Sequence, residues 1–221
     1  MKKIIIGGVI IFVVGLFTPQ IVQAQGTTYL SNLGQASVGS MAVGSDSWLA
    51  LPFIAGNNVD GYVLNSVQLA LTDASGNPSS FTVMLYAPSN PAAGLPGSSL
   101  GTFSGSFDPV IGGTYTYTAP SSLMLSPSTE YFIVLTAGTT VANGTYEWSL
   151  ATTSSYNQND NWVIGAYGGR TFDTSIDGSS WNSTSGSYPQ FAINATPIPE
   201  PSELALGALG ALLLGFRRWK K

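Results

Sequence analysis

Between residues 48 and 195 the chain is written in short strand-like runs, and in several of them the apolar side chains fall on every second position. In Phe81-Thr-Val-Met-Leu-Tyr86 the set Phe81, Val83 and Leu85 opposes Thr82, Met84 and Tyr86. A period of two is the signature of an extended strand with one buried face, so such runs pack as sheet against sheet. Similar runs, rich in β-branched and aromatic residues, occupy 48–54, 62–72, 115–119, 131–137, 145–151, 162–167 and 191–195. In the second of these, Val63, Val67, Leu69 and Leu71 read as one face.

Turn chemistry separates the runs. Asp73-Ala-Ser-Gly76-Asn77-Pro78, Asn90-Pro91, Gly112-Gly113, Asn143-Gly144 and Asp177-Gly178 are sequences that tolerate positive φ or preset a bend. Leu95-Pro96-Gly97 reads as a loop between two strands, since it lacks the Thr-Gly that would complete a sortase signal. No stretch of 25–196 sustains a helical period. The expectation is an all-β fold, an antiparallel β-sandwich of either jelly-roll-like or immunoglobulin-like topology.

The two ends obey a different physics. Lys2 and Lys3 precede the apolar stretch 4–17, and Val22-Gln23-Ala24 places small residues where signal peptidase selects them. Residues 1–24 therefore read as a signal peptide helix, with cleavage between Ala24 and Gln25. At the other end, Leu204 to Phe216 contains no polar side chain, and Arg217, Arg218, Lys220 and Lys221 follow it. Thirteen residues of helix span roughly 20 Å, short for a hydrocarbon core of about 30 Å. The cations that follow fit a stop with its positive end in the cytoplasm. Pro199-Glu200-Pro201-Ser202 stands just before the run, where two prolines keep the backbone extended.

This tripartite end, 197–221, resembles the PEP-CTERM sorting signal of Gram-negative surface proteins: the motif Pro199-Glu200-Pro201-Ser202, a short transmembrane helix and a basic end at Arg217 and Arg218. The resemblance implies recognition by an exosortase, residence in the inner membrane as a precursor, and later delivery to the cell surface or extracellular matrix. It also implies an association with exopolysaccharide and biofilm.

Residues 25–196 form the exported domain. With the two ends set aside, Arg170 is its one cation against nine acids, which excludes nucleic acid as a partner, because phosphate binding needs clustered Lys and Arg. The chain has no Cys and no His. Packing alone must hold the fold, and Ser-His-Asp, Cys-His and His- or Cys-based zinc chemistry are closed to it. Trp48 with Phe53 and Gly56, Tyr62 to Leu69, Phe81 to Tyr86, Leu95 to Leu100, Leu123 to Leu135 and Ser180-Trp181 together resemble the choice-of-anchor domains of type R, extracellular modules without an assigned activity.

Three sets of residues are candidates for a function of this domain. Trp162, Tyr167 and Trp181, set among Asn, Ser and Gly, have the chemistry of a glycan-binding surface, where rings stack on sugar C–H faces and amides take the hydroxyls. Trp148, between Tyr146 and Leu150 in an alternating run, reads instead as core. Asp160, Asp173 and Asp177 are the oxygen donors that a structural calcium would use, although their spacing matches no EF-hand loop. Glu130 and Glu147, the two glutamates of the domain, are the candidate pair for glycoside hydrolysis. Both sit at or inside predicted strands with nothing to set one against the other, so no enzymatic activity, catalytic residue or cofactor is expected. Signal peptidase, exosortase, the inner membrane and exopolysaccharide are the expected partners.

Overall fold

The computed structural model describes residues 26–90, 94–152, 157–165 and 171–200. The expected signal peptide, its Ala24/Gln25 junction, Tyr167, Arg170 and everything from Pro201 onward, including the expected transmembrane and basic segments, lie outside the described residues.

Two antiparallel sheets make up the described chain, consistent with a β-sandwich. The first holds β1 (Thr27–Ser31), β2 (Gly39–Val43), β4 (Tyr62–Gly76), β7 (Gly113–Thr118), β8 (Met124–Leu125), β10 (Gly144–Ala151), β11 (Asn157–Gln158), β15 (Tyr188–Pro189) and β16 (Phe191–Pro197). The second holds β3 (Trp48–Ile54), β5 (Thr82–Pro88), β6 (Pro96–Thr102), β9 (Glu130–Thr136), β12 (Val163–Ile164), β13 (Phe172–Ser175) and β14 (Asn182–Thr184). In the first, β4 pairs with β16, β10, β7 and β8, and β10 also pairs with β2 and β15. In the second, the order runs β14-β13-β3-β9-β5-β6.

The core lies between the sheets. Leu49, Leu51 and Phe53 of β3, Val83 and Leu85 of β5, and Tyr131, Ile133 and Leu135 of β9 meet Val67, Leu69, Leu71, Trp148 and Ile193 of the first sheet in one buried cluster. Each such side chain contributes roughly 1.5–3 kcal/mol by leaving water. β9 is buried at all seven positions, Glu-Tyr-Phe-Ile-Val-Leu-Thr, because its outer face is also covered. β7 shows the simpler pattern: Tyr117 is buried while Thr114, Thr116 and Thr118 are exposed.

Four details depart from the sequence reading. The first is the face assignment of β4. The pairing of Ala195 with Leu64 and of Asn194 with Ser66 leaves Asn65 bulged, and a bulge reverses the alternation. Tyr62 and Leu64 therefore point inward with Val67, and Val63 is displaced from the core face. The second is Asp73 to Gly76, which is strand rather than turn: Ser75 and Gly76 pair with Thr145 and Gly144.

The third is Leu95-Pro96-Gly97. Pro96 opens β6, paired with Pro88 of β5, rather than sitting in a loop. Proline is tolerated there because it is the first residue of a strand at the sheet edge, where its missing N–H costs no ladder bond. The expected strand 162–167 reduces, among the described residues, to Val163–Ile164.

β4 and β10 diverge beyond Leu71 and Trp148, and Gln190 fills the fork. Its backbone O accepts from Trp148 Nε1 at 2.9 Å, its Oε1 from Ser149 Oγ at 2.6 Å, and its Nε2 donates to Gln35 O at 2.7 Å. A buried amide saturated in this way costs little, whereas an unsatisfied one would cost about 1–3 kcal/mol.

Candidate functional site

The two described aromatic candidates, Trp162 and Trp181, part company in the structure. Trp162 is 0% exposed. Its ring stacks on Tyr29 at 5.0 Å and on Phe53 at 6.0 Å, and Tyr62 meets it edge-on at 4.9 Å. A ring closed on both faces cannot stack on a sugar, so Trp162 is corrected from surface residue to core residue. Its short flanking strand, β12, pairs with β3 and carries the ring under the sheet end. Trp162 Nε1 is buried without a hydrogen-bond partner. Trp148 is core as expected, also at 0%.

Trp181 occupies a different environment. Half-buried, it packs with Trp48 and Tyr86 over Ala50, Met84, Phe132 and Val134. Register explains the grouping. Leu49, Leu51 and Phe53 point into the core, so Trp48 and Ala50 point away from it. Ala50 pairs with Val134, which pairs with Met84, and Phe132 pairs with Tyr86. These residues thus form the outer face of the second sheet, capped by Trp181 from the β13–β14 connection. Trp48 Nε1 donates to Ser45 O at 3.0 Å, fixing its ring, while Trp181 Nε1 finds no partner. Burial raises the Tyr86 hydroxyl above its ordinary pKa. Three half-buried rings on one outer sheet face are what an aromatic platform for a hydroxyl-rich ligand requires.

The sequence reading did not single out Trp48 and Tyr86 for this face. The signal for Tyr86 was present in the alternation that sets it opposite Val83 and Leu85.

The acidic candidates do not converge. Asp160 is exposed in the turn before β12, with φ +52°. Asp173 is fully buried in β13, opposite Ala50. Asp177 is exposed, and its carboxylate accepts from the N–H groups of Ser179 at 2.8 Å and Ser180 at 3.1 Å and from Ser175 Oγ at 3.1 Å. Those bonds, the Ser179 amide first, hold the Asp177 carboxyl well below the usual carboxylate range. Asp177 therefore ties its own loop, the one that delivers Trp181. Among the described residues no three of His, Cys, Asp and Glu gather in a group able to hold a metal ion.

Glu130 and Glu147 do not form a glycosidase pair. Glu130 pairs with Ile54 on the outer side of the second sheet, and Glu147 with Thr72 on the outer side of the first. The thickness of the sandwich, about 10 Å between sheets, separates them before the side chains diverge. Glu147 instead accepts from Thr145 Oγ1 at 2.6 Å and Ser40 Oγ at 2.8 Å.

The outer face of the first sheet is polar. An open depression of about 190 Å³ is lined by Gly26, Thr28, Gln68 and Asn194. Its groups bond to one another and to their neighbours: Thr28 Oγ1 donates to Asn194 Oδ1 at 2.6 Å, and Asn194 Nδ2 to Ser66 Oγ at 3.1 Å.

Of the expected sorting motif, Pro199 and Glu200 are described and exposed; Pro201 and Ser202 lie outside the described residues. The chain reaches them from β16. Thr27 of β1 pairs with Ala195, and Pro197 pairs with Tyr62 at the start of β4. Both ends of the sandwich therefore leave it at one pole. Comparison of the chain with protein-family models, with curated proteins and with solved structures yields no match.

Proposed function

We propose that the chain is an exported, non-catalytic surface or extracellular-matrix protein of a Gram-negative bacterium, sorted through residues 197–221. In this reading signal peptidase acts at Ala24/Gln25, and the precursor waits in the inner membrane until an exosortase acts at the Pro199-Glu200-Pro201-Ser202 motif. The finished protein then serves a structural or adhesive role in an exopolysaccharide matrix. The observation that supports this most is the shared pole of Thr27 and Pro197. A sandwich whose ends leave one pole can have both adjoining segments in one membrane without unfolding.

The strand order favours the jelly-roll form of the sandwich: β2-β10-β4-β7 and β3-β9-β5-β6 are two four-stranded rows between which the chain repeatedly crosses.

Intact-mass spectrometry of the protein from the native host's envelope and medium tests the reading. A species starting at Gln25 and ending near the motif is the expected result. A species still ending at Lys221 would instead make the tail a permanent anchor.

A second reading, a carbohydrate-binding module for exopolysaccharide, is favoured by the Trp48, Tyr86 and Trp181 platform. Affinity electrophoresis in the host polysaccharide tests it, and unchanged mobility would retire it.

A further inference from the structure

The residues leading into the motif are held to the sandwich. Pro197 pairs with Tyr62, but proline has no N–H to give to the ladder. The hold is supplied one residue later: Ile198 N–H donates to Gly61 O at 3.0 Å. Asn58 closes the arrangement, its Nδ2 donating to Ile198 O at 3.0 Å and to Gly61 O at 2.5 Å. Pro199 and Glu200, both exposed, follow with no spacer.

The holding turn is itself firmly based. Gly61 N–H returns to Asn58 O at 2.8 Å, and Gly61 takes φ +81° where a Cβ would run into Leu125 O. Asn58 N–H donates to the Tyr62 hydroxyl at 3.3 Å. The Tyr62 ring is in turn wedged edge-on against Tyr29 and Trp162, at 5.2 and 4.9 Å.

We infer that Asn58 and Gly61 form a clamp on Ile198 that restrains processing at the adjoining motif. The inference rests on the sorting function proposed above. Extended-peptide recognition draws on main-chain hydrogen bonds along the bound segment. Pro197 and Ile198 are the residues immediately before the motif, and their main chain is already engaged. Cleavage then follows the population in which this segment has come away, which local opening governs.

The test is Asn58→Asp in the full chain. The substitution keeps the side-chain shape but replaces the amide NH2, with its two N–H donors, by a carboxylate oxygen that faces two carbonyls. Hydrogen exchange at the Ile198 amide should quicken by about five-fold or more, the factor that goes with loss of one net hydrogen bond. Pulse-chase in the native host should show the precursor disappearing faster by a similar factor. A Gly-Ser spacer inserted between Ile198 and Pro199 should give the same acceleration with Asn58 intact, and Asn58→Asp should add nothing to it.

Faster Ile198 exchange with unaltered processing would overturn the clamp and leave the sorting function standing, as would unaltered exchange in the variant. Failure of all these chains to be processed would instead remove the sorting function, and the inference with it.

Discussion

Thr27 faces Ala195 across the antiparallel pair of β1 and β16, so the opening strand of the sandwich lies against its closing strand. β4, fifteen residues long, runs from that pole beside β16 and ends beyond it. At about 3.3 Å per residue it carries the fold roughly 50 Å from where the chain enters and leaves. At the far end Gly112 N–H bonds to Asp73 Oδ1 at 2.8 Å, and exposed Phe107 and Ile111 belong to the same loop region.

On the sorting proposed above, replacing Glu200 with alanine should leave full-length chain in the inner membrane, because the motif loses its one charged group. Cell fractionation and immunoblotting check this. Normal release of Glu200→Ala would show that the tail is read for its hydrophobicity alone.

Trp162→Ala should cost about 3–5 kcal/mol, since it empties a site enclosed by Tyr29, Phe53 and Tyr62. For a domain of this size that lowers Tm by roughly 10 °C. Trp181→Ala, at a half-buried position, should cost about 1–2 kcal/mol and abolish any retardation in exopolysaccharide gels. Equal thermal losses in the two variants would contradict the assignment of Trp181 to an accessible face.

Gly61→Ala should destabilise the fold by about 1–3 kcal/mol, because alanine is strained at φ +81° and its Cβ would meet Leu125 O. At Gly34 the space that an alanine methyl would enter has no atom within 4 Å, so Gly34→Ala should fall within about 0.5 kcal/mol of the parent. Chemical denaturation of both variants makes the comparison, and similar midpoints would remove the claim of strain at Gly61.

The Asp177 carboxyl is held low by the Ser179 and Ser180 amides and by the Ser179 and Ser175 hydroxyls. A carboxyl lowered on folding adds stability above its unfolded pKa, about 4, and loses it as pH falls through the folded value. The 175–180 loop should therefore hold through neutral and mildly acidic pH and loosen only in stronger acid. An NMR titration of the Asp177 carboxyl reports it; a midpoint at or above the ordinary aspartate value would be inconsistent with these bonds.

Tyr117 and Tyr146 behave in the opposite sense. Burial raises both; neighbouring tyrosines raise Tyr117 further, and the 2.8 Å bond to Asp108 raises Tyr146 further. A phenol raised on folding leaves stability intact below its unfolded pKa, about 10, and erodes it as pH climbs toward the folded value. Alkaline titration followed by tyrosinate absorbance should show a class of tyrosines that ionises only as the near-ultraviolet circular dichroism collapses. Full ionisation with the fold intact would refute their burial.

The sequence pattern and the structure agree where a strand is apolar enough to announce itself. Trp48 to Ile54 is legible to the residue, and Tyr131 to Ala137 is offset by one. β2, Gly-Ser-Met-Ala-Val, and β14, Asn-Ser-Thr, are not legible, since their backbone is recruited by neighbouring strands and their side chains carry little pattern. Trp162 looks like a surface ring beside Asn159, Asp160 and Asn161; its cover comes from Tyr29 and Tyr62, far away in the chain. The bulge at Asn65 is invisible for a related reason: it is defined by the partner strand. The fork at Gln190 is equally a property of three strands together.

The lengthwise pairing of β16 with β4, from Phe191 with Leu69 to Pro197 with Tyr62, decides how this protein would bear mechanical force. Ladder bonds run across the strands. A tug on the C-terminal end, with the far tip held, pulls along β16 and strains its cross-strand bonds side by side, as shear. The strand would have to slide as a whole, whereas a strand peeled from its edge gives way one bond at a time. Such a module resists being torn from whatever holds its tail; in the matrix role proposed above it would stay whole in a gel that swells and flows.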